Sequence, residues 1–276
     1  MTTRISRVSS TVSGRAAFVL LLLSFGTAAP AQVEGIGHGT AVVVLRSPKA
    51  IFAAVDSKLT IETSRDGVRT FESGTHCKVR RVGPYYSIIA GIAGTTNGFD
   101  AQDEVARSFR AGDDLAALAN AVLQSLPKSL APKLQELRAS DPAFLSSSFG
   151  DAALNLTLLG RDRGVPRVFV DQFSVIADGM TIRVTGRAMS CPGDCPAANA
   201  GYFLGEHEAT ESAVRLNPSI LLHPDEQQVE KLIHLEYASR PDVVGGPLSV
   251  IKVTPSADTV LLAGACTDGL SATRAE

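Results

Sequence analysis

The sequence lacks the motifs that identify several common classes of enzyme. It has no Gly-x-Ser-x-Gly nucleophile turn, no Walker-type phosphate-binding loop and no His-Glu-x-x-His helix. The segment His207–Glu211 comes nearest to the last of these, but it has no second histidine. These absences argue against the usual serine hydrolases, P-loop enzymes and zinc proteases.

The sequence also lacks a strong charge of either sign. The formal net charge of the 276 residues is -2, and no run of like charge reaches the length of an interaction tail. Nucleic-acid binders usually show a basic stripe, which is missing here. We therefore expect no nucleic-acid partner.

Only one long apolar run is present, and it lies near the N-terminus. Three arginines precede Ala16–Leu23, and Ala29-Pro30-Ala31 follows with the small-x-small pattern that signal peptidase recognises. A membrane anchor is the alternative, but the run of about 14 residues is shorter than the roughly 20 needed to span a bilayer. We predict a signal peptide over residues 1–31, cleavage near Ala31, and a secreted or periplasmic protein without a membrane partner after signal removal.

Cysteines are few, with four in the chain. Cys191 and Cys195 flank a Pro-Gly-Asp turn, which predicts a small disulfide loop in an oxidising compartment. A metal knuckle is the alternative, but it would need a second closely spaced ligand pair, and Cys77 and Cys266 are isolated. The sequence leaves open whether Cys77 and Cys266 pair with each other.

Hydrophobic periodicity predicts strands, two helices, strands, two helices and final strands. The first strands, Thr40–Leu45 and Ala50–Val55, are apolar on both faces, which is typical of a sheet covered on both sides. Helices are predicted over Asp100–Phe109, from Asp113-Asp114 with an interruption at Pro127, over Glu206–Leu216 and over Asp225–Ser239. This order predicts an α+β fold, a four-layer αββα sandwich formed as one domain over residues 40–276. Two domains divided near residue 150 are the alternative.

Four residues of chemical interest lie at the ends of short predicted strands. Thr40 begins the first strand, and Asp56 ends the second sixteen residues later. Lys78 opens a Lys-Val-Arg-Arg stretch, and Gly91 lies in an Ala-Gly-x-Ala-Gly turn. The set resembles the catalytic subunits of the proteasome family of N-terminal nucleophile (Ntn) hydrolases, above all over residues 39–95. The pair Gly245-Gly246 before the late strand also matches that family.

The resemblance implies an amide hydrolase whose nucleophile is a threonine at a new N-terminus. Cutting the Gly39–Thr40 bond would give Thr40 an α-amine, whose ordinary pKa of about 7.7–8.0 suits a general base. The resemblance assigns Lys78 and Asp56 as the supporting pair and the backbone N–H of Gly91 as the oxyanion donor. Residues 32–39 become a tether or a removable pro-segment. No cofactor is expected, the partner is a peptide or small amide substrate, and the family suggests a homo-oligomer.

Two departures from the family pattern support an alternative function. Val244 stands where the family has a serine near the threonine, and Glu206 replaces another serine before the third helix. Asp242 is displaced by one position from the family's late aspartate. The alternative is a catalytically inactive protein of the same fold that serves in binding or assembly.

Overall fold

A computed structural model of the chain describes residues 35–65, 68–91, 95–96, 98–140, 153–179, 181–195 and 197–266. These residues belong to one compact unit, Val33–Glu276. The predicted signal peptide, with its cleavage site at Ala31, lies outside the described residues.

The secondary structure follows the predicted order of elements. The first strands are β1 (Gly35–His38), β2 (Ala41–Arg46), β3 (Ile51–Val55), β4 (Lys58–Arg65), β5 (Val68–Thr75), β6 (Val79–Val82), β7 (Tyr85–Gly91), β8 (Thr95–Thr96) and β9 (Phe99–Asp100). The later strands are β10 (Leu154–Asp162), β11 (Val165–Asp178), β12 (Thr181–Cys191), β13 (Ala200–Gly205), β14 (Ser249–Val253) and β15 (Asp258–Ala263). The helices are α1 (Ala101–Ser108), α2 (Leu115–Ser140), α3 (Glu208–Leu216), a 3₁₀ helix (Pro218–Leu221) and α4 (Glu226–Ser239).

The described strands form three antiparallel sheets. Sheet I has the order β13-β2-β3-β14-β15, and sheet II has the order β12-β11-β10-β7-β6. Sheet III has the order β5-β4-β1-β8-β9. The chain is therefore a mixed α and β protein with antiparallel pairing, which confirms the coarse fold prediction.

Sheets I and II share an apolar cluster. Val44 and Val55 of sheet I belong to the same cluster of buried residues as Ile88 and Val170 of sheet II. Every residue of β2 and β3 is buried, because the opposite face of sheet I is covered as well. This double burial is why the two strands lack the alternation of a half-exposed strand.

Helices α1 and α2 pack on sheet II. The side chain of Asp100 caps α1 by accepting a 2.7 Å hydrogen bond from the backbone N–H of Gln102. Helix α2 buries one stripe of leucines on the same cluster as Leu156 and Phe173 of sheet II. The stripe consists of Leu115, Leu118, Leu126, Leu130, Leu134 and Leu137.

The predicted interruption of α2 at Pro127 is wrong. The helix continues through both Pro127 and Pro132 to Ser140. A proline inside a helix costs about 3 kcal/mol, but each fully buried leucine contributes roughly 1.5–3 kcal/mol. The leucine stripe beyond Pro127 therefore outweighs the local penalty.

Helices α3 and α4 cover sheet I. Val229 and Ile233 of α4 share a buried cluster with Val43 and Ala54 of sheet I. Asp225 caps α4 through a 2.8 Å hydrogen bond from the backbone N–H of Gln228. Among the described helices, none has the length and apolar composition required to cross a membrane.

Candidate active site

Four connections between sheet III and the other two sheets each begin at or contain a predicted site residue. Thr40 lies between β1 of sheet III and β2 of sheet I, and Asp56 lies between β3 of sheet I and β4 of sheet III. Lys78 immediately precedes β6 of sheet II after the chain leaves β5, and Gly91 ends β7 of sheet II. Short strand ends thus gather residues that are far apart in sequence.

The ammonium group of Lys78 is buried and donates three hydrogen bonds. The residue is 2% exposed. Its Nζ donates hydrogen bonds of 2.7 Å to the carbonyl oxygen of Gly39 and 2.9 Å to Asp56 Oδ1, and a third to the carbonyl oxygen of Lys58. Three acceptors match the three protons of an ammonium group. Lys78 is therefore held with its charge aimed at the peptide that precedes Thr40.

The carboxylate of Asp56 is held by the backbone on both oxygens. Oδ1 accepts from the N–H of Ala41 at 2.9 Å, besides its ion pair with Lys78. Oδ2 accepts from the N–H groups of Lys58 at 3.2 Å and Gly245 at 3.1 Å. These bonds fix the carboxylate, so that Asp56 in turn orients Lys78.

Burial disfavours the charged forms of Asp56 and Lys78, whereas the attraction between the two charges favours them. Desolvation raises the pKa of Asp56 above its ordinary value and lowers the pKa of Lys78 below its own. The ion pair and the hydrogen bond between them offset part of each pKa shift. Removal of either partner would leave an unpaired charge in the interior.

Thr40 is buried beside the same carbonyl group. It is 5% exposed, and its Oγ1 donates a 2.6 Å hydrogen bond to the carbonyl oxygen of Gly39. The carbonyl oxygen of Thr40 itself accepts a 2.7 Å hydrogen bond from the backbone N–H of Glu206. Thr40 and Lys78 therefore converge on one atom, the carbonyl oxygen of Gly39.

Gly39 occupies a position that excludes any side chain. Its φ is 82°, in the left-handed region. A Cβ atom built on it would lie 2.2 Å from the carbonyl oxygen of Val243. This contact gives a physical reason for glycine at the predicted processing position.

Gly91 lies near the other residues, but the described contacts do not join it to them. Its φ is 103°, and a Cβ atom there would lie 2.6 Å from the carbonyl oxygen of Ala153. A Cβ atom on Gly205 would lie 3.6 Å from the side chain of Ala90, the residue before Gly91, and 1.9 Å from the carbonyl oxygen of Thr40. The structure thus places the end of β7 beside Thr40.

The two departures from the family pattern have distinct surroundings. Val244 is buried against α4 and sheet I in an apolar cluster. Glu206 directs its carboxylate to Arg240, with 2.9 Å between Glu206 Oε2 and Arg240 Nη1. Asp242 is exposed and pairs with Arg240 at 3.4 Å. No hydroxyl group therefore stands at either departure position.

Sequence reasoning missed the support that the loop after α4 gives to the site. Gly245 donates to Asp56, and its carbonyl oxygen accepts from the N–H groups of Ser57 and Lys58. Tyr237 donates a 2.7 Å hydrogen bond to the carbonyl oxygen of Gly246. The Gly-Gly pair was a signal in the sequence, whereas nothing there marked Tyr237 as a support of this loop.

Within the predicted tether or pro-segment, Gly35–His38 forms strand β1, the middle strand of sheet III. Gly35–His38 pairs antiparallel with β4, with Gly35 opposite Thr63 and His38 opposite Thr60. On its other side, Ile36 pairs with Thr96 of β8. The four-residue segment Gly-Ile-Gly-His is too short to show alternation, so the strand had no signal in the sequence.

The cysteines form two disulfides. Cys191 pairs with Cys195, as predicted, and Cys77 pairs with Cys266 across 189 residues of sequence. The second disulfide joins the residue before Lys78 to the end of sheet I. Two disulfides are compatible with a protein of an oxidising compartment.

Two comparisons with known proteins find no relative of this chain. A scan against protein-family models finds no match to this chain, and a search of curated proteins finds no similar sequence.

Proposed function

We propose that this protein is an N-terminal threonine hydrolase of the Ntn type. It matures by cutting its own Gly39–Thr40 bond and then cleaves amide bonds in peptides or small amides. One observation carries the proposal: Lys78 Nζ and Thr40 Oγ1 lie 2.7 Å and 2.6 Å from the same carbonyl oxygen of Gly39.

Self-cleavage begins with addition of the Thr40 hydroxyl oxygen to the carbonyl carbon of Gly39. The negative charge that develops on the carbonyl oxygen is stabilised by the ammonium group of Lys78. As the C–N bond breaks, the hydroxyl proton passes to the nitrogen of Thr40, and an ester joins Thr40 Oγ1 to Gly39. Water then hydrolyses the ester and releases the Gly39 carboxylate and a free Thr40 hydroxyl.

The new α-amine of Thr40 then serves as the general base. Its ordinary pKa of about 7.7–8.0 lies close to neutrality, so a useful fraction is unprotonated. The buried Lys78 ammonium favours this neutral form by repulsion, and Asp56 keeps Lys78 in place. The backbone N–H of Gly91 takes the role of oxyanion donor, for which glycine permits close approach of the substrate.

The arrangement of layers supports the same family. Sheets I and II share one apolar cluster, α1 and α2 lie on the far side of sheet II, and α3 and α4 lie on the far side of sheet I. We take this order as support for the proposed four-layer αββα sandwich of the Ntn hydrolases. Strand β1 also supports a peptide substrate, because its departure would leave strands β4 and β8 free to pair with an extended chain.

The proposed place of action is outside the cytoplasm. The arginines and apolar run before Ala31 supply the export signal, and both disulfides require an oxidising compartment to persist. Signal peptidase alone would leave residues 32–39 attached, so maturation needs the second cut at Thr40.

The mass of the intact exported protein tests the proposal. We expect a chain that begins at Thr40 in the wild type, an uncut chain in Thr40→Ala, and slow cutting in Thr40→Ser. Lys133→Ala, which removes an exposed lysine on α2, is the control and should be cut normally. A wild-type chain that begins at Gln32 would contradict the mechanism.

The second candidate is an inactive binding or assembly protein of the same fold. It is favoured by the apolar burial of Val244 and by the pairing of Glu206 with Arg240, since neither position offers a hydroxyl to the Thr40 amine. A threonine-directed epoxyketone or β-lactone probe separates the candidates. Labelling of Thr40 would exclude the inactive protein, and a cut chain that resists labelling would favour it.

A further inference from the structure

The Cys77–Cys266 disulfide lies directly beside the residue on which the proposed chemistry depends. Cys77 is bonded through the main chain to Lys78, and the segment from His76 to Lys78 has no regular secondary structure. The Cα atoms of Cys77 and Cys266 are 4.7 Å apart. The disulfide therefore holds the chain at the point where it delivers Lys78 to the site.

The two ends of this disulfide belong to different sheets. Cys77 leads into β6, the edge strand of sheet II, and Cys266 follows β15, the edge strand of sheet I. The N–H of Cys266 donates a 2.9 Å hydrogen bond to the carbonyl oxygen of Ala263. The partner of Cys77 is thus anchored to a strand end, not to a free loop.

The two sulfur atoms are not equally free to move. Cys266 is buried in the cluster between sheets I and II, whereas Cys77 is only partly buried at its edge. In the reduced form the two sulfur atoms have to separate to van der Waals contact. Because Cys266 is enclosed, most of this displacement falls on Cys77 and passes to Lys78.

We propose that Cys77 and Cys266 are positioning residues for Lys78, and that cutting of the Gly39–Thr40 bond depends on their oxidation. The inference rests on the proposed function. Oxidation proceeds by exchange with a small-molecule disulfide: each cysteine loses its proton, a new S–S bond forms, and the two electrons reduce the oxidant to two thiols. A chain that is still reduced in the cytoplasm is then cut more slowly than a chain that has been exported and oxidised.

The size of the expected effect on the cutting rate follows from the geometry of Lys78. Its contacts to Gly39 and Asp56 are directional, at 2.7 Å and 2.9 Å. A misplacement of about 1 Å in such a constellation can reduce a rate by about a hundredfold. The carbonyl oxygen of Lys78 accepts a 2.9 Å hydrogen bond from Gln102 Nε2 and another from the N–H of Ile89. These two bonds hold the main chain of Lys78 near its place when the disulfide is absent. We therefore expect a smaller effect on the cutting rate, of about tenfold, which lies below the hundredfold limit.

The test uses the full chain produced and purified under reducing conditions. One portion receives oxidised glutathione and the other remains in dithiothreitol, and intact mass follows the cut at Gly39–Thr40 over time. We expect the oxidised portion to be cut about ten times faster, within the range that misplacement of a catalytic group produces. Equal rates in the two portions would overturn the inference, whereas absence of cutting in both would instead contradict the proposed function.

Cysteine variants provide the matched control. The double variant Cys77→Ala/Cys266→Ala should be cut slowly whether or not oxidant is present. The double variant Cys191→Ala/Cys195→Ala removes the other disulfide and should keep the wild-type dependence on oxidation. If both double variants behave alike, the position of the Cys77–Cys266 disulfide beside Lys78 has no special role.

A pH profile distinguishes positioning of Lys78 from a general loss of stability. Burial holds the pKa of Lys78 below its ordinary value, and loosening of the segment would hydrate the ammonium group and raise that pKa. The cutting rate should fall at alkaline pH as Lys78 loses its proton, and in Cys77→Ala/Cys266→Ala this fall should occur at a higher pH. A slower rate with an unchanged profile would overturn the positioning role. If the variant does not fold by circular dichroism, the pH profiles of the reduced and oxidised wild-type protein give the same comparison.

Discussion

The backbone N–H of Gly245 donates a 3.1 Å hydrogen bond to Asp56 Oδ2, across 189 residues of sequence. The loop after α4 therefore fixes a carboxylate that lies at the end of β3. Since Asp56 binds Lys78, and Lys78 binds the carbonyl oxygen of Gly39, this loop reaches the Gly39–Thr40 peptide through three consecutive hydrogen bonds. Substitutions around this chain of contacts should affect stability and cutting in separable ways.

Lys78→Met should abolish cutting and also destabilise the fold. The variant leaves the buried carboxylate of Asp56 without its counter-charge, which typically costs about 3–5 kcal/mol. Urea unfolding measures the loss of stability. The double variant Asp56→Asn/Lys78→Met should recover part of the stability and none of the cutting. Lys133→Ala, at an exposed ion pair, should cost less than about 1 kcal/mol.

Gly39→Ala should be more destabilising than Gly112→Ala. Both glycines have a left-handed φ, 82° and 95° respectively, for which an alanine pays about 1–2 kcal/mol. At Gly39 the new Cβ atom would also meet the carbonyl oxygen of Val243 at 2.2 Å, whereas at Gly112 no atom of the described residues lies within 4 Å of it. Thermal unfolding of the two variants compares these costs. Equal losses would mean that Val243 moves aside freely.

Asp171→Asn should remove a pH-dependent loss of stability. Asp171 is 0% exposed in β11, neither carboxylate oxygen has a hydrogen-bond partner among the described residues, and burial raises its pKa to about 7. Because the folded pKa lies above the unfolded value of 3.8, this carboxyl group costs nothing well below that pH. The cost grows between the two pKa values, where the unfolded chain loses the proton and the folded chain keeps it, and it is constant above the folded pKa of about 7.

The full cost at alkaline pH is of the order of 4 kcal/mol, since each unit of pKa shift corresponds to about 1.4 kcal/mol. Urea unfolding of the wild type should therefore show lower stability at pH 8 than at pH 5, with a smaller difference in Asp171→Asn. Asp178→Asn, at the exposed end of the same strand, is the control and should leave the difference unchanged. An unchanged difference in Asp171→Asn would contradict the assignment.

Arg240→Ala should have only a modest effect on cutting. The Arg240–Glu206 pair connects the loop after α4 to the turn that holds the carbonyl oxygen of Thr40, but both side chains are partly exposed. A double-mutant cycle with Glu206→Gln should give a coupling energy of about 0.2–1 kcal/mol. The cutting rate should fall by no more than about fivefold, the equivalent of roughly 1 kcal/mol. A loss of a hundredfold would place Arg240 among the residues of the reaction.

The sequence predicted those parts of the fold whose signals are local. The predicted helical ranges that began at Asp100 and Asp225 place the starts of α1 and α4 to within one residue, and in the structure each aspartate caps its helix. The end of α2 was not predictable in this way. Its course through Pro127 and Pro132 is decided by burial against sheet II, which local propensity does not contain.

The candidate site was likewise predictable in part from the sequence, whereas its long-range contacts were not. The resemblance to the proteasome family singled out Thr40, Asp56 and Lys78, and the structure brings them within hydrogen-bonding distance of Gly39 or of one another. The contacts of Gly245 with Asp56 and the pairing of Cys77 with Cys266 each span 189 residues. Such contacts depend on how the sheets stack, so no pattern within a short window reveals them.

Strand β1 has a consequence for any peptide that approaches the uncut protein. Only Gly39 and Thr40 separate β1 from β2, so β1 is always present beside the edges of β4 and β8. A strand held by so short a connection competes at an effective concentration of the order of millimolar or above. A peptide in solution would have to exceed that concentration to displace it. The uncut chain therefore excludes competitors from this position by tethering its own strand.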